Sequence, residues 1–342
     1  MLAGVYHGPG EGRGLRVEEV ARPEPGSGEL LVRVAACGIC RTDLHYLHGT
    51  PTFKQPPIIL GHEVSGVVAE ASDGAEQGRI GQHVLIPPVF PCGSCRACLT
   101  GRSTICERGV MLGNHRDGGF AEYISLPADM ALPLPDTIPL EEGAVISDAV
   151  ATPYHALFNR GGVKPGDSVV IYGCGGVGLS AVALAASAGA VVTAVDLAEK
   201  KLALAREFGA ARAINADQVD ATKEIRRVTG GGADVALECI GDPRTIRGAF
   251  DCVRAGGRLV VVGYASKDAP LNVGRLMFRE IEIVGSLGCG VQDYPKVLRI
   301  LQSGAVDLKA LVTHRFPLAR IAEGFDMLER GDPALVRGIV VP

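Results

Sequence analysis

Nowhere in this 342-residue chain does an apolar run reach the roughly 18 residues that a membrane-crossing helix needs. The first fourteen residues also lack the apolar stretch of a signal peptide, so a cytoplasmic location is expected. An excess of one charge is missing too. The 34 Lys and Arg against 38 Asp and Glu leave a net charge of -4, which gives no electrostatic footprint for DNA or RNA. There is no internal repeat and no low-complexity tract. Ten cysteines are few for a secreted disulfide scaffold of this length, and in a reducing compartment clustered thiols suggest metal ligands.

What is present is the composition of a soluble globular protein, 47% hydrophobic and 21% charged. Single cores stop growing at about 250 to 300 residues, so two domains are expected. Up to about residue 145 the chain is rich in Val, Gly and Pro, with short apolar runs such as 30–36 and 64–69 between turn signals, which predicts a β-rich domain. From Asp167 apolar strands alternate with Ala- and Leu-rich helical stretches, the mark of βαβ units on a parallel sheet. Six strands are predicted at 168–172, 191–195, 212–215, 234–238, 258–262 and 281–284, with helices at 177–188, 199–208, 219–228, 243–253 and 273–278. This is a doubly wound, Rossmann-type α/β sheet. The tail reads as a helix at 294–302, a strand at 311–316, a helix at 318–330 and a strand at 336–341, returning to the first domain.

Directly after the first of the six strands stands Gly173-Cys174-Gly175-Gly176-Val177-Gly178. Glycines at 173, 175 and 178 permit a tight turn and close approach of a pyrophosphate to a helix N-terminus. Among 46 glycines such a triplet means little alone, but here it sits in the required strand-loop-helix context. Asp196 ends the next strand, where a carboxylate can accept hydrogen bonds from both ribose hydroxyls. Its charge would repel the 2′-phosphate of NADP, so NAD is the expected cofactor. Helix capping is the alternative reading of Asp196. Lys201 is a further candidate for the ribose, or simply a solvated helix lysine.

Cys92, Cys95, Cys98 and Cys106 supply four thiolates from one short segment, enough to close a tetrahedral zinc shell with no open position. An iron-sulfur cluster or a redox dithiol could use similar residues, but the spacing favours structural zinc. Cys174, Cys239, Cys252 and Cys289 are scattered, and read as buried small hydrophobes. A second pair of segments, Cys37-Gly-Ile-Cys40-Arg41-Thr42-Asp43-Leu44-His45 and Gly61-His62-Glu63, offers a thiolate, an imidazole and a carboxylate from loops of the β-rich domain.

Together with the glycine loop and the four-cysteine lobe, these segments make the chain resemble the zinc-containing medium-chain alcohol dehydrogenases over essentially its whole length. The resemblance implies a GroES-like catalytic domain at residues 1–149 and 287–342, carrying a structural zinc lobe at 91–107, and a Rossmann NAD-binding domain at 150–286. It implies Cys40 and His62 as catalytic zinc ligands, with Cys37 only structural. Thr42 would hydrogen-bond the substrate oxygen and begin a proton relay, with His45 its outer member. Glu63 would support the site or act as an alternate ligand, and Arg41 and Arg337 would approach the pyrophosphate. At the third ligand position many members carry cysteine, whereas this chain presents Asp148. Carboxylate is a competent zinc ligand, and replacing thiolate by oxygen should leave the metal more Lewis acidic. A helix N-cap is the alternative role for Asp148.

The implied activity is reversible, zinc-assisted hydride transfer between a primary or secondary alcohol and NAD, with Thr42 and His45 carrying the proton outward. A polyol, threonine or a hydroxyacyl-CoA is an alternative substrate. A non-catalytic protein that binds zinc and NAD is a reading of another class. The zinc-free quinone reductases of the same fold are disfavoured by the ligands and the four-cysteine lobe. The segments expected to shape the pocket, 50–57, Phe90, 112–116 and 286–293, fix no single alcohol. A homodimer or homotetramer is expected, because strand 281–284 could pair across a two-fold axis.

Overall fold

The computed structural model describes residues 1–342, apart from the side chains of Glu11 and Gly12. The chain forms two compact units. One comprises Met1–Asp148, Gly290–Gln302 and Leu308–Pro342; the other comprises Ala149–Cys289 and Ser303–Asp307. Among the described residues no helix is long and apolar enough to cross a membrane.

In the first unit β1 (Glu29–Gly38) is the organising strand, and most of its side chains are buried. It pairs antiparallel with β2 (Glu63–Ala71) over almost its full length, from Leu30 opposite Ala71 to Gly38 opposite Glu63. β3 (His83–Ile86) continues the sheet beyond β2, and β4 (Tyr123–Pro127) pairs with the first half of β1. At its end β1 turns into the short helix α1 (Arg41–Leu47), which buries Leu44, Tyr46 and Leu47. The Gly38–Glu63 register sets the Cys40 turn beside the His62-Glu63 step. A core of Leu30, Val32, Val64, Phe120 and Phe325 fills this unit, each large apolar side chain contributing about 1.5–3 kcal/mol on burial.

The second unit is an open, wholly parallel sheet. Its strands are β5 (Ser168–Tyr172), β6 (Val191–Asp196), β7 (Arg212–Asn215), β8 (Ala233–Glu238), β9 (Val253–Val261) and β10 (Glu282–Gly285), in the spatial order β7-β6-β5-β8-β9-β10. Central strands such as β5, with Val169, Val170, Ile171 and Tyr172 all buried, are continuous apolar runs because both faces of a parallel sheet are covered. The helices between them are α2 (Gly176–Ser187), α3 (Glu199–Glu207), α4 (Ala221–Val228), α5 (Pro243–Cys252) and α6 (Val273–Phe278). The alanine-rich α2 is buried nearly all round, as a helix without a polar face must be. Side-chain caps start three of the others: Asp220 accepts from the Lys223 amide, Asp242 from the Arg244 amide and Asn272 from the Arg275 amide.

The tail returns to the first unit with α7 (Tyr294–Gln302), β11 (Val312–Pro317), α8 (Ile321–Glu329) and β12 (Arg337–Val341). β12 pairs parallel with β11 and antiparallel with β1, where Ile339 faces Gly38 and Val340 faces Cys37. That register delivers Arg337 to the Cys40 turn.

Three segments differ from the sequence reading. β9 starts at Val253 rather than at residue 258: Val253 pairs with Ala233, the exposed residues 254–256 bulge out, and pairing resumes at Arg258 opposite Val235. The helix expected at 318–330 opens with a separate 3-10 turn, Leu318–Arg320. Residues His155–Gly161 form a π-helical turn that no pattern in the sequence announced.

Candidate metal centre and dinucleotide loop

Cys40 stands at the head of α1, where Asp43 one turn later accepts its backbone N–H at 3.1 Å through Oδ2. The other oxygen of Asp43 accepts from the Gly61 amide at 3.2 Å and lies 3.2 Å from His62 Nδ1. A carboxylate so placed accepts the Nδ1 N–H and turns Nε2 toward Asp148 and Cys40. His62 Nε2 lies 3.7 Å from Asp148 Oδ2, which lies 3.6 Å from Cys40 Sγ. One ligand atom each from Cys40, His62, Glu63 and Asp148 falls within 4.8 Å of the others. Ligands at the usual 2.0–2.3 Å around tetrahedral zinc are separated by about 3.4–3.8 Å, so the Cys40, His62 and Asp148 spacings suit one ion.

Asp148 does not cap the following helix, whose N-cap is Val150. Glu63 is wholly buried. One of its oxygens accepts from the Arg337 guanidinium, and the other has no hydrogen-bond partner. Burial pushes the Glu63 carboxyl up to about 8 against the pull of Arg337. Burial would lower the His62 pKa, but the Asp43 charge and the ring's hydrogen bonds to Asp148 and Asp43 raise it well above the ordinary imidazole value. A buried carboxylate oxygen without a donor, beside a thiolate and two more ligand atoms, is a donor set suited to a cation.

The other candidates fall around this cluster. Thr42 Oγ1 is 3.6 Å from Cys40 Sγ. His45 is half-buried on α1, its pKa lowered by burial and by the charges of Arg41 and His48. Arg41 is exposed at the first position of α1. Arg337, by contrast, is buried, donating to the Ile39 carbonyl at 3.1 Å as well as to Glu63. Cys37 is fully buried, in keeping with a packing role. Asp43 is the residue that sequence reasoning missed. Its signal was available, since an acidic side chain at the third position of a helix can reach back to the N-cap amide.

In the four-cysteine lobe Cys95 Sγ lies 3.6 Å from Cys98 Sγ and 3.7 Å from Cys106 Sγ. These distances exceed any disulfide bond and match the edge, about 3.8 Å, of a tetrahedron with 2.3 Å metal–sulfur bonds. All four sulfurs lie within 4.8 Å of one another, which leaves room for one ion and none for a multi-iron cluster. Amide N–H groups of Ser94 and Cys95 pull the Cys92 thiol down to about 5, the direction that favours a metal-binding thiolate. Of the scattered cysteines, Cys174 and Cys252 are buried, while Cys239 and Cys289 are partly exposed.

In the second unit the glycine loop joins β5 to α2. A Cβ on Gly178 would sit 1.7 Å from the Gly173 carbonyl oxygen, so only glycine closes this turn. Asp196 at the end of β6 accepts N–H groups from Leu197 at 2.8 Å, from Ala198 at 3.0 Å and, across the loop, from Cys174 at 2.7 Å. It thus ties the turn after β6 to the glycine loop and does not cap α3, whose N-cap is Ala198 with no side-chain cap bond. Three of the roughly four acceptor positions of a carboxylate are taken, leaving one toward solvent. Lys201 lies in the first turn of α3.

Comparison with known proteins agrees with this geometry. Residues 26–136 match the alcohol dehydrogenase GroES-like domain, and residues 176–303 the zinc-binding dehydrogenase domain. An alcohol dehydrogenase of Geobacillus stearothermophilus is 37% identical over 319 residues, 93% of each chain. Among solved structures, an NAD-dependent alcohol dehydrogenase superposes with a TM-score of 0.93 at 32% identity, covering 100% of both chains. A Sinorhizobium meliloti dehydrogenase bound to NADP gives a TM-score of 0.90 at 32% identity, covering 100% of this chain and 99% of the other. The chain is an oxidoreductase that belongs to the zinc-dependent medium-chain alcohol dehydrogenase family.

Proposed function

We propose that this protein catalyses reversible, NAD-dependent hydride transfer between a primary or secondary alcohol and its aldehyde or ketone, with zinc held by Cys40, His62 and Asp148. The observation that carries the reading is the convergence of a sulfur, an imidazole nitrogen and a carboxylate oxygen within 4.8 Å of one another, with Asp148 Oδ2 3.6 Å from Cys40 Sγ and 3.7 Å from His62 Nε2. Three ligands leave a fourth position for substrate. Zinc there supplies the Lewis acidity that acidifies an alcohol or polarises a carbonyl.

The protein's own groups do the rest. Asp43 orients His62, and Arg337 balances the negative charge gathered by Cys40, Asp148 and Glu63. Thr42, beside Cys40, takes up the substrate hydroxyl proton. His45 is kept neutral by its lowered pKa and serves as acceptor toward solvent. Glu63 is poised as an alternate ligand. A second zinc in the Cys92, Cys95, Cys98 and Cys106 lobe has no open position and acts on folding alone.

The dinucleotide belongs at the Gly173–Gly178 loop, with its ribose at the remaining acceptor position of Asp196 and with Lys201 as the basic residue of the same unit available to it, while the burial of Arg337 against Glu63 and Ile39 removes it from that role. Relatives include an NAD-dependent and an NADP-bound enzyme, so the choice rests on Asp196, whose charge opposes a 2′-phosphate. The thiolate lobe suits a reducing, cytoplasmic setting. We also propose association of two or four copies through the β10 edge, beside which Val273, Met277 and Phe278 on α6 are 71%, 63% and 82% exposed. Sedimentation of wild type and Phe278→Glu tests that surface: a shift toward monomer supports it, and an unchanged assembly removes it.

The functional test is NADH formation over a panel of simple alcohols, polyols, threonine and a hydroxyacyl-CoA, with zinc counted on the same sample. Turnover of a simple alcohol with NAD and two zinc per chain supports the proposal. Turnover of threonine or a polyol alone corrects the substrate, and activity in metal-free protein overturns the mechanism.

A further inference from the structure

One buried carboxylate takes no part in the metal centre or the glycine loop. Glu238 ends β8, the strand hydrogen-bonded to β5 where the strand order of the sheet reverses, and it is 0% exposed. Its Oε1 accepts N–H groups from Ile240 and Gly241, both at 3.0 Å, and the Thr245 hydroxyl at 2.7 Å; its Oε2 accepts from Gly241 at 3.1 Å. Its own carbonyl accepts the Val262 and Gly263 amides at 2.9 and 3.0 Å. One residue therefore ties the 239–242 turn to the start of α5 and the end of β9.

Capping α5 does not require this arrangement, because Asp242 already accepts the Arg244 amide at 2.8 Å. Burial pushes the Glu238 carboxyl up, while Thr245 and the two amides pull it back, so the site holds a costly group with its acceptors engaged. The visible result is the position of Ile240. It presses on the first glycine of the loop, where an added Cβ at Gly173 would lie 2.6 Å from Ile240 Cγ1, and it remains 43% exposed. An exposed branched side chain held against the glycine loop, at the carboxyl ends of β5 and β8, lies where open α/β sheets bind their ligands.

We infer that Glu238 is a positioning residue for the dinucleotide: it folds the 239–242 turn so that Ile240 forms an apolar wall beside the Gly173 turn. The inference rests on the dinucleotide reading proposed above. Calorimetric titration of NAD and NADP into the zinc-loaded enzyme tests it, with wild type, Glu238→Leu, Glu238→Gln and Ile240→Ala compared. Glu238→Leu removes every acceptor and should raise the NAD Kd about tenfold or more, with two zinc per chain and the alcohol KM retained. Glu238→Gln keeps an amide oxygen for the Oε1 bonds and should stay within about threefold. Ile240→Ala leaves the carboxylate cluster intact and should weaken NAD about fivefold, which decides the matter if the leucine variant fails to fold. Wild-type NAD affinity in Ile240→Ala, or in folded Glu238→Leu, overturns the inference. If wild type binds neither NAD nor NADP, it is the dinucleotide reading that falls, and the inference falls with it.

Discussion

His62 Nδ1 lies 3.2 Å from Asp43 Oδ1, with the two side chains 2% and 0% exposed. The same carboxylate accepts the backbone N–H groups of Cys40 and Gly61, so one buried anion holds both the thiolate and the imidazole in place. Asp43→Ala would strand three donors in an apolar setting. Metal affinity at the Cys40 site should fall about 10- to 100-fold, measured by competition with a chromogenic chelator, while the four-cysteine lobe keeps its ion. Unchanged affinity would reduce Asp43 to a packing residue.

Much of this was legible in the sequence because it is encoded locally. The strand at 168–172, the helix at 273–278 and the helix at 294–302 have the predicted bounds, since each is an uninterrupted pattern bracketed by turn or capping residues. The zinc-ligand candidates were visible through their spacing and their resemblance to a family. What was hidden depends on long-range register. Arg337 reaches Glu63 only because β12 pairs with β1, and the 254–256 bulge in β9 is dictated by its pairing with β8. The triple engagement of Asp196 was hidden because one of its donors, Cys174, lies across the glycine loop.

The cofactor assignment turns on Asp196. Asp196→Ala removes the charge that opposes a 2′-phosphate and the acceptor that holds the Cys174 amide. The kcat/KM ratio for NAD over NADP should fall about tenfold or more, with both metals retained. A ratio unchanged from wild type would mean that the adenosine ribose is recognised elsewhere.

The lobe of Cys92, Cys95, Cys98 and Cys106 should behave as a folding element. Cys95→Ser breaks a closed shell, so zinc content should drop by one per chain and Tm by at least several degrees, while NAD affinity is kept. Full zinc content together with a wild-type Tm would contradict a closed, four-thiolate structural site in this lobe.

The central claim is that Cys40, His62 and Asp148 hold the ion on which hydride transfer depends. Counting zinc in His62→Ala, with NAD binding and NADH production measured on the same sample, tests it most directly. We predict one zinc per chain where wild type has two, an NAD Kd within about threefold of wild type, and no detectable turnover. Two zinc per chain with wild-type rates of NADH formation would contradict the account.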